Sequence, residues 1–145
     1  MSFQNQFTKT TTDANLMETV HHGSAEYPFR YYYENIALFD FKCIDWHWHS
    51  ELEFIYIESG NVVFDIGTVH FELNEGNGIM INSKILHRLQ SSSDAIIPNF
   101  LFQPSFIAPQ DSLIYKKYIN PVISSSLEYL VFQPDIPWQK KALEI

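Results

Sequence analysis

The feature that most constrains this chain is a rhythm of short apolar runs, each closed within a few residues by turn formers. The runs "LEFIYIES", "NVVFDIG", "VHFELNEG", "NGIMINS" and "HRLQSSS" follow one another after an aromatic stretch that begins at Tyr27. The punctuation is Ser59-Gly60-Asn61, Gly67-Thr68, Asn74 to Gly78, Asn82-Ser83 and Ser91 to Asp94. β-branched and aromatic residues favour half-buried strands, while Gly, Asn, Asp and Ser supply the backbone freedom of turns. No helical period separates the runs, so the expectation is an all-β core, built as an antiparallel sandwich or barrel.

The flanks read differently. Residues 1–26 are polar, Thr-rich and without a period, which predicts an arm that is mobile or docked on something else. The paired His21 and His22 lie in that arm and are expected to be solvated. After "IIPNFLFQPSFI", expected to hold the last long strand, "DSLIYKKYI" suits a short helix ended before Pro121, and "SLEYLVFQPD" an edge strand or a cover for one end of the barrel. "PWQKKALEI" starts a second helix with Pro137 in its first turn and stops after about two turns, so a longer natural chain is expected. The body of the domain spans 27–138, and 139–145 open a linker or dimerisation helix.

Charge narrows the function. The net charge is −8, and residues 1–75 hold three Lys/Arg against twelve Asp/Glu. Such a surface repels phosphate backbones, so any contact with DNA is expected to need another domain. A single cysteine, Cys43, cannot build a disulfide framework, and no apolar run reaches the length of a membrane span. The cytoplasm is the expected compartment. Covalent catalysis is not expected, because no nucleophile elbow or phosphate-cradling glycine loop is present.

One stretch carries chemistry. "DWHWHSELEFIYIESG" sets His47, His49 and Glu53 on one face of an unbroken strand, with Trp46, Trp48 and Phe54 on the other. A bulge would spoil that arrangement. His87, at the start of a later strand-like run, can supply a fourth donor. Three imidazoles and a carboxylate suit Zn, Ni, Fe, Mn or Cu rather than Ca or Mg. Equally, histidines beside tryptophans at a barrel mouth can hydrogen-bond carbonyls or a polar ligand without any ion. His70 has no spaced partner and is expected to be structural or on the surface. Glu58, Glu72 and Glu75 are expected on solvated faces or turns.

The same residues resemble the first cupin motif: His47, His49 and Glu53 fall on its metal ligands and Gly60 on its closing glycine. Phe41 stands where that motif has a glycine. "EGNGIMINSKILH" follows the second motif, with Gly76 and His87 in place, Asn77 for its aspartate and Asn82 for its proline. Over residues 23 to 138 the chain is similar to the amino-terminal sensor domains of AraC-type transcription regulators. The resemblance implies a cupin jelly-roll barrel, or double-stranded β-helix, with a short C-terminal helical segment. It also implies a small-molecule effector such as a sugar bound inside the barrel, a homodimer, and DNA bound through a helix-turn-helix domain not in this chain. His47, His49, Glu53 and His87 then bind either an ion or the effector itself. The alternative is a small metal-dependent cupin enzyme, a dioxygenase or isomerase.

Overall fold

A computed structural model describes residues 9–145. Among these described residues, nine strands make two antiparallel sheets that face each other. One has five strands in the order β1 (Phe29–Tyr32), β8 (Asn99–Phe102), β3 (Leu52–Tyr56), β6 (Gly78–Ile81) and β9 (Tyr129–Phe132). The other has four, β2 (Cys43–His47), β7 (His87–Gln90), β4 (Asn61–Ile66) and β5 (Val69–Asn74). From β2 onward the chain passes back and forth between the sheets, which is the winding of a jelly roll. The expected all-β cupin barrel is therefore present. Ile55, Phe64, Ile66, Ile79, Ile81 and Leu89, none more than 3% exposed, fill the space between the sheets.

The two sheets differ on their outer faces. β5 alternates between exposed and covered residues, as a strand wetted on one side should. All four residues of β6 are buried, because the outer face of the five-stranded sheet is covered as well. There Phe54, Phe100 and Phe102 stack at 5.2–6.1 Å between ring centroids, and Val122 and Ile123 from a helical segment close over them.

That segment departs from expectation at Pro121, which does not end it. Tyr115–Ile119 form a π-turn that continues directly into α1 (Asn120–Ile123), with Pro121 in the first turn of α1. Proline lacks an N–H, and in the first turn of a helix that donor is not needed. Asn82 explains how the segment is anchored: its buried amide donates to the carbonyls of Val122 (2.9 Å) and Leu127 (2.7 Å). The helix α2 (Pro137–Leu143) begins with Pro137 as expected, and its Leu143 lies so close over Gly78 that any β-carbon there would stand 2.5 Å from it.

Turn chemistry agrees with the sequence reading at Gly60, whose φ of +84° and close approach to Asp94 exclude any side chain. Phe41 is the opposite case. It has φ +59° and is 99% exposed, a conformation that costs an ordinary residue about 1–2 kcal/mol. The arm takes the docked one of its two expected states. Residues 11–19 fold as a small hairpin, held by Thr19 N–H to the Thr11 carbonyl, and dock on the barrel's own rim.

Candidate metal centre

Three histidines and a glutamate meet at one mouth of the barrel, delivered by both sheets. His47 ends β2 and pairs across the strands with His87, which opens β7; their ring centroids are 4.2 Å apart. Glu53 comes from β3 in the opposite sheet, and His49 from the crossing between the sheets. One nitrogen or oxygen from each of the four lies within 4.8 Å of the others, and all four residues are buried.

Their route is not an unbroken strand. Ile44 pairs with Leu89 and His47 with His87, so β2 spends one residue more than β7 between the two pairs. This is a β-bulge. Ile44 packs against the core, so strict alternation from it would turn Trp46 and Trp48 inward and both histidines outward. The bulge reverses that parity. It therefore makes the site, where the sequence reading held that a bulge would spoil it. Trp46 stays outside with the Arg88 guanidinium 5.0 Å from its ring. The crossing after His47 is pinned by Lys84 N–H to the His49 carbonyl (2.8 Å) and the Ser83 hydroxyl to the Ser50 carbonyl (2.6 Å).

Hydrogen bonding fixes how the imidazoles face. Nδ1 of His47 donates to the Asp45 carbonyl (2.8 Å), Nδ1 of His49 to that of Glu51 (3.1 Å) and Nδ1 of His87 to that of Ile85 (2.7 Å). Each Nε2 is thereby directed at the cluster, where His49 and His87 each stand 3.1 Å from the same Glu53 oxygen. Tying one ring nitrogen to a backbone carbonyl is the usual way a metal-binding histidine is oriented.

The electrostatics show a site that calls for positive charge. Burial pushes Glu53 up, yet its bonds to His49 and His87 hold it well below the usual carboxylate range. Burial also pushes His49 down, but the Glu53 carboxylate carries it up to about 9. His47 goes the other way, to about 3, through burial and the His87 charge. An imidazole lone pair facing a carboxylate is repelled unless a proton or a cation lies between them. The donor set of three nitrogens and one carboxylate oxygen fits a divalent transition metal, since Ca and Mg require oxygen.

The structure adds two residues from the arm. Glu18 and His22 are nearly buried at the mouth, with side chains 12% and 8% exposed, and are hydrogen-bonded to each other. His22 Nδ1 meets the Tyr32 hydroxyl at 2.7 Å, and its ring stands edge-on to His49 at 5.8 Å. The expectation that both arm histidines are solvated therefore fails for His22 and holds for the exposed His21. Nothing in the local sequence marks Glu18, because its place depends on the arm folding back. Burial raises Glu18, but the bond to His22 and the neighbouring histidine charges bring it below its ordinary value. With the arm docked, the cavity beneath it measures about 60 Å³ and is lined by Glu18, His22, Tyr32, Glu34, His47 and Glu53 among others. His70 lies outside this site, exposed and bonded to Asp65, and Glu58, Glu72 and Glu75 are exposed.

Comparison with known proteins finds relatives of this chain. Residues 39–108 match the AraC-like ligand binding domain. A helix-turn-helix transcriptional regulator of Bacillus subtilis is 32% identical over 135 residues, which cover 91% of this chain and 46% of that protein. The chain thus spans about half the length of the relative it matches. Among solved structures, a cupin superfamily protein of Desulfitobacterium hafniense aligns with a TM-score of 0.48 at 10% identity, over 56% of this chain and 71% of that one. A cupin-2 domain protein of Shewanella frigidimarina aligns with a TM-score of 0.45 at 14% identity, over 50% of this chain and 69% of that one.

Proposed function

Given that this chain belongs to the AraC-like ligand binding domain family, we propose that it is the sensing half of a transcription regulator and holds a divalent transition metal at its centre. His47, His49, Glu53 and His87 are the ligands in this reading. DNA is contacted by a separate helix-turn-helix domain, α2 leads into the dimer contact, and the effector is a small molecule. The observation that carries the metal is the trio of Nδ1–H bonds to backbone carbonyls, which leaves all three Nε2 atoms free, those of His49 and His87 at 3.1 Å from one Glu53 oxygen. The ion would supply a Lewis-acidic position at the barrel mouth. The residues themselves orient it, exclude bulk water, and leave a space of about 60 Å³. An apolar cavity of roughly 150 Å³ is known to hold benzene, so a sugar-sized effector enters only after the arm withdraws.

The regulator reading is supported by the family match and by the helix-turn-helix relative. No observation on the reacting groups favours the enzyme reading over it, and the same four ligands would serve both. No helix among the described residues is long and apolar enough to cross a membrane.

The test is elemental analysis of the purified chain, followed by chelator stripping and titration with Zn²⁺, Mn²⁺, Ni²⁺ and Fe²⁺ under thermal unfolding. One ion per chain is expected, with the melting temperature raised by about 8 °C at a hundredfold excess over Kd, and with no rise in His87→Ala. A wild-type chain that takes up none of these ions overturns the metal assignment. Oxygen consumption by the loaded chain would overturn the regulator reading in favour of the enzyme.

A further inference from the structure

The outer face of the five-stranded sheet is not covered evenly. Strand register sets Tyr31, Phe100 and Phe54 in one row across β1, β8 and β3, and Tyr56, Gly78 and Phe132 in a second row across β3, β6 and β9. Phe54 and Phe100 stack at 5.2 Å with their planes 12° apart, so the first row presents a flat aromatic floor. The second row dips at Gly78, where the missing side chain admits Leu143 of α2. Trp138, edge-on to Phe132 at 6.1 Å, and the Gln139 side-chain carbonyl, which accepts the Gln133 N–H at 2.8 Å, hold α2 above that row.

Between floor and helix lies a cleft of about 470 Å³, against about 60 Å³ at the barrel mouth. An apolar cavity of roughly 150 Å³ holds benzene, and small-molecule sites run from about 300 to 1,000 Å³. Twelve residues line the cleft, where a stable protein interface takes about 20–30 a side, so its size suits a small molecule and not a second protein surface. Among the lining side chains only the hydroxyls of Tyr31 and Tyr56 are polar, and none is charged. A charged group buried there would lose its water without gaining a partner, which selects a neutral occupant. The near-parallel Phe54 and Phe100 rings favour one with a flat aromatic system.

We propose that this cleft is a second binding site, separate from the histidine centre, for a neutral aromatic molecule of about two or three rings. The two sites lie on opposite faces of one sheet, since Glu53 and Phe54 are consecutive residues of β3 and their side chains alternate. Ala142 and Leu143 form one wall of the cleft and the sheet the other, so a bound molecule bridges β3, β8 and α2. Such a molecule binds the docked helix better than a released one, which links occupancy to the position of α2. The site stands independently of the metal; only its use as an effector site that reports through α2 rests on the regulator reading above.

The probe is phenylnaphthylamine, a neutral aromatic dye that fluoresces when it leaves water; anilinonaphthalene sulfonate has the same rings with a negative charge. Both are titrated into the full chain and into variants at two exposed positions. Ala142→Trp fills the cleft from its helix wall, while Leu113→Ser removes an apolar side chain, 78% exposed, that does not line it. Circular dichroism checks the fold of each. One neutral dye per chain is expected, with Kd on the order of 10 µM. The sulfonate, and the neutral dye on Ala142→Trp, should bind about tenfold more weakly or worse, with Leu113→Ser unchanged. Hydrogen exchange at the Lys140 and Glu144 amides, which bond back along α2, should slow when the neutral dye is present. Undiminished binding by Ala142→Trp, or equal binding of the two dyes, overturns the site. Binding without slower exchange keeps the site and overturns its link to α2. A dimer in sedimentation velocity that Ala142→Trp dissociates, with no dye bound, also overturns the site and assigns the cleft to a second copy. None of these readouts depends on metal content or oxygen consumption, so the site stands or fails apart from the readings above.

Discussion

Glu53 and Asp65 are each 8% exposed, each sits on a strand, and each accepts a hydrogen bond from histidine, yet they belong to different kinds of cluster. The partners of Glu53 are His49 and His87, whose side chains are 4% and 0% exposed. Those of Asp65 are His70, 68% exposed, and Arg88, 30% exposed. His70 uses its Nδ1 on the carboxylate itself, whereas His49 and His87 tie Nδ1 to backbone carbonyls and turn Nε2 inward. Arg88 neutralises Asp65 permanently through Nε (3.1 Å) and Nη2 (3.0 Å), while nothing but a proton or a cation can neutralise Glu53. A carboxylate's own burial therefore does not distinguish a candidate metal site from a surface ion pair. The exposure of its partners and the nitrogen they present do.

Removing the carboxylate breaks that contrast most sharply. Glu53→Gln should lower metal affinity by more than the roughly 10–100-fold seen when outer-shell partners are lost, measured by competition with a chelator. In the stripped protein it also deprives His49 of its buried counter-charge, at a cost of about 3–5 kcal/mol in urea denaturation. A variant that retains wild-type affinity would remove the distinction.

Glu34 sharpens the comparison, because it is a half-buried carboxyl at the same mouth with no ion pair to a cation among the described residues. Burial pushes it up to about 7, even though the Asn99 amide donates to it at 2.8 Å. The sign follows from the direction of the shift. A carboxyl whose folded value lies above its unfolded value of 4.5 contributes stability below that value, and the contribution is lost as pH rises through about 7. Glu34→Gln should therefore match the wild type near pH 4 and exceed it by about 3 kcal/mol at pH 8. Equal pH profiles for the two proteins would show that Glu34 does not titrate alone.

The cluster of His47, His49, Glu53 and His87 was legible in sequence because imidazoles and a carboxylate are out of place in strands otherwise made of Ile, Phe and Tyr. Their spacing gave the residues but not the path. The bulge between Ile44 and His47 contains Asp45 and Trp46, and a lone Asp within a strand-like run does not mark a bulge; only pairing with β7 reveals it. Glu18 and His22 were illegible for a stronger reason. Their role depends on a long-range return of the arm to Trp48, and a polar segment without a period carries no trace of its docking partner. The helical segment at Pro121 is an intermediate case: the residues predicted a helix, while its π-turn, which runs on into the proline, packs Tyr115 and Ile119 against Ala108 and Ile123, contacts that local sequence does not announce.

The smallest effects should come from the surface cluster. Asp65 is held low first by its bond to His70 and then by Arg88, but water reaches both partners and screens them. Exposed pairs of this kind contribute about 0–1 kcal/mol, so Asp65→Asn should cost less than about 1 kcal/mol. His70→Ala should lie within about 0.5 kcal/mol of wild type. Neither should alter metal content, because Asp65 and His70 pair with each other across β4 and β5, and their side chains meet on the outer surface. Thermal unfolding and elemental analysis of the two variants check this together. Loss of metal in either would mean that the surface cluster reaches the centre through β7, where Arg88 directly follows His87, and the two clusters would have to be treated as one.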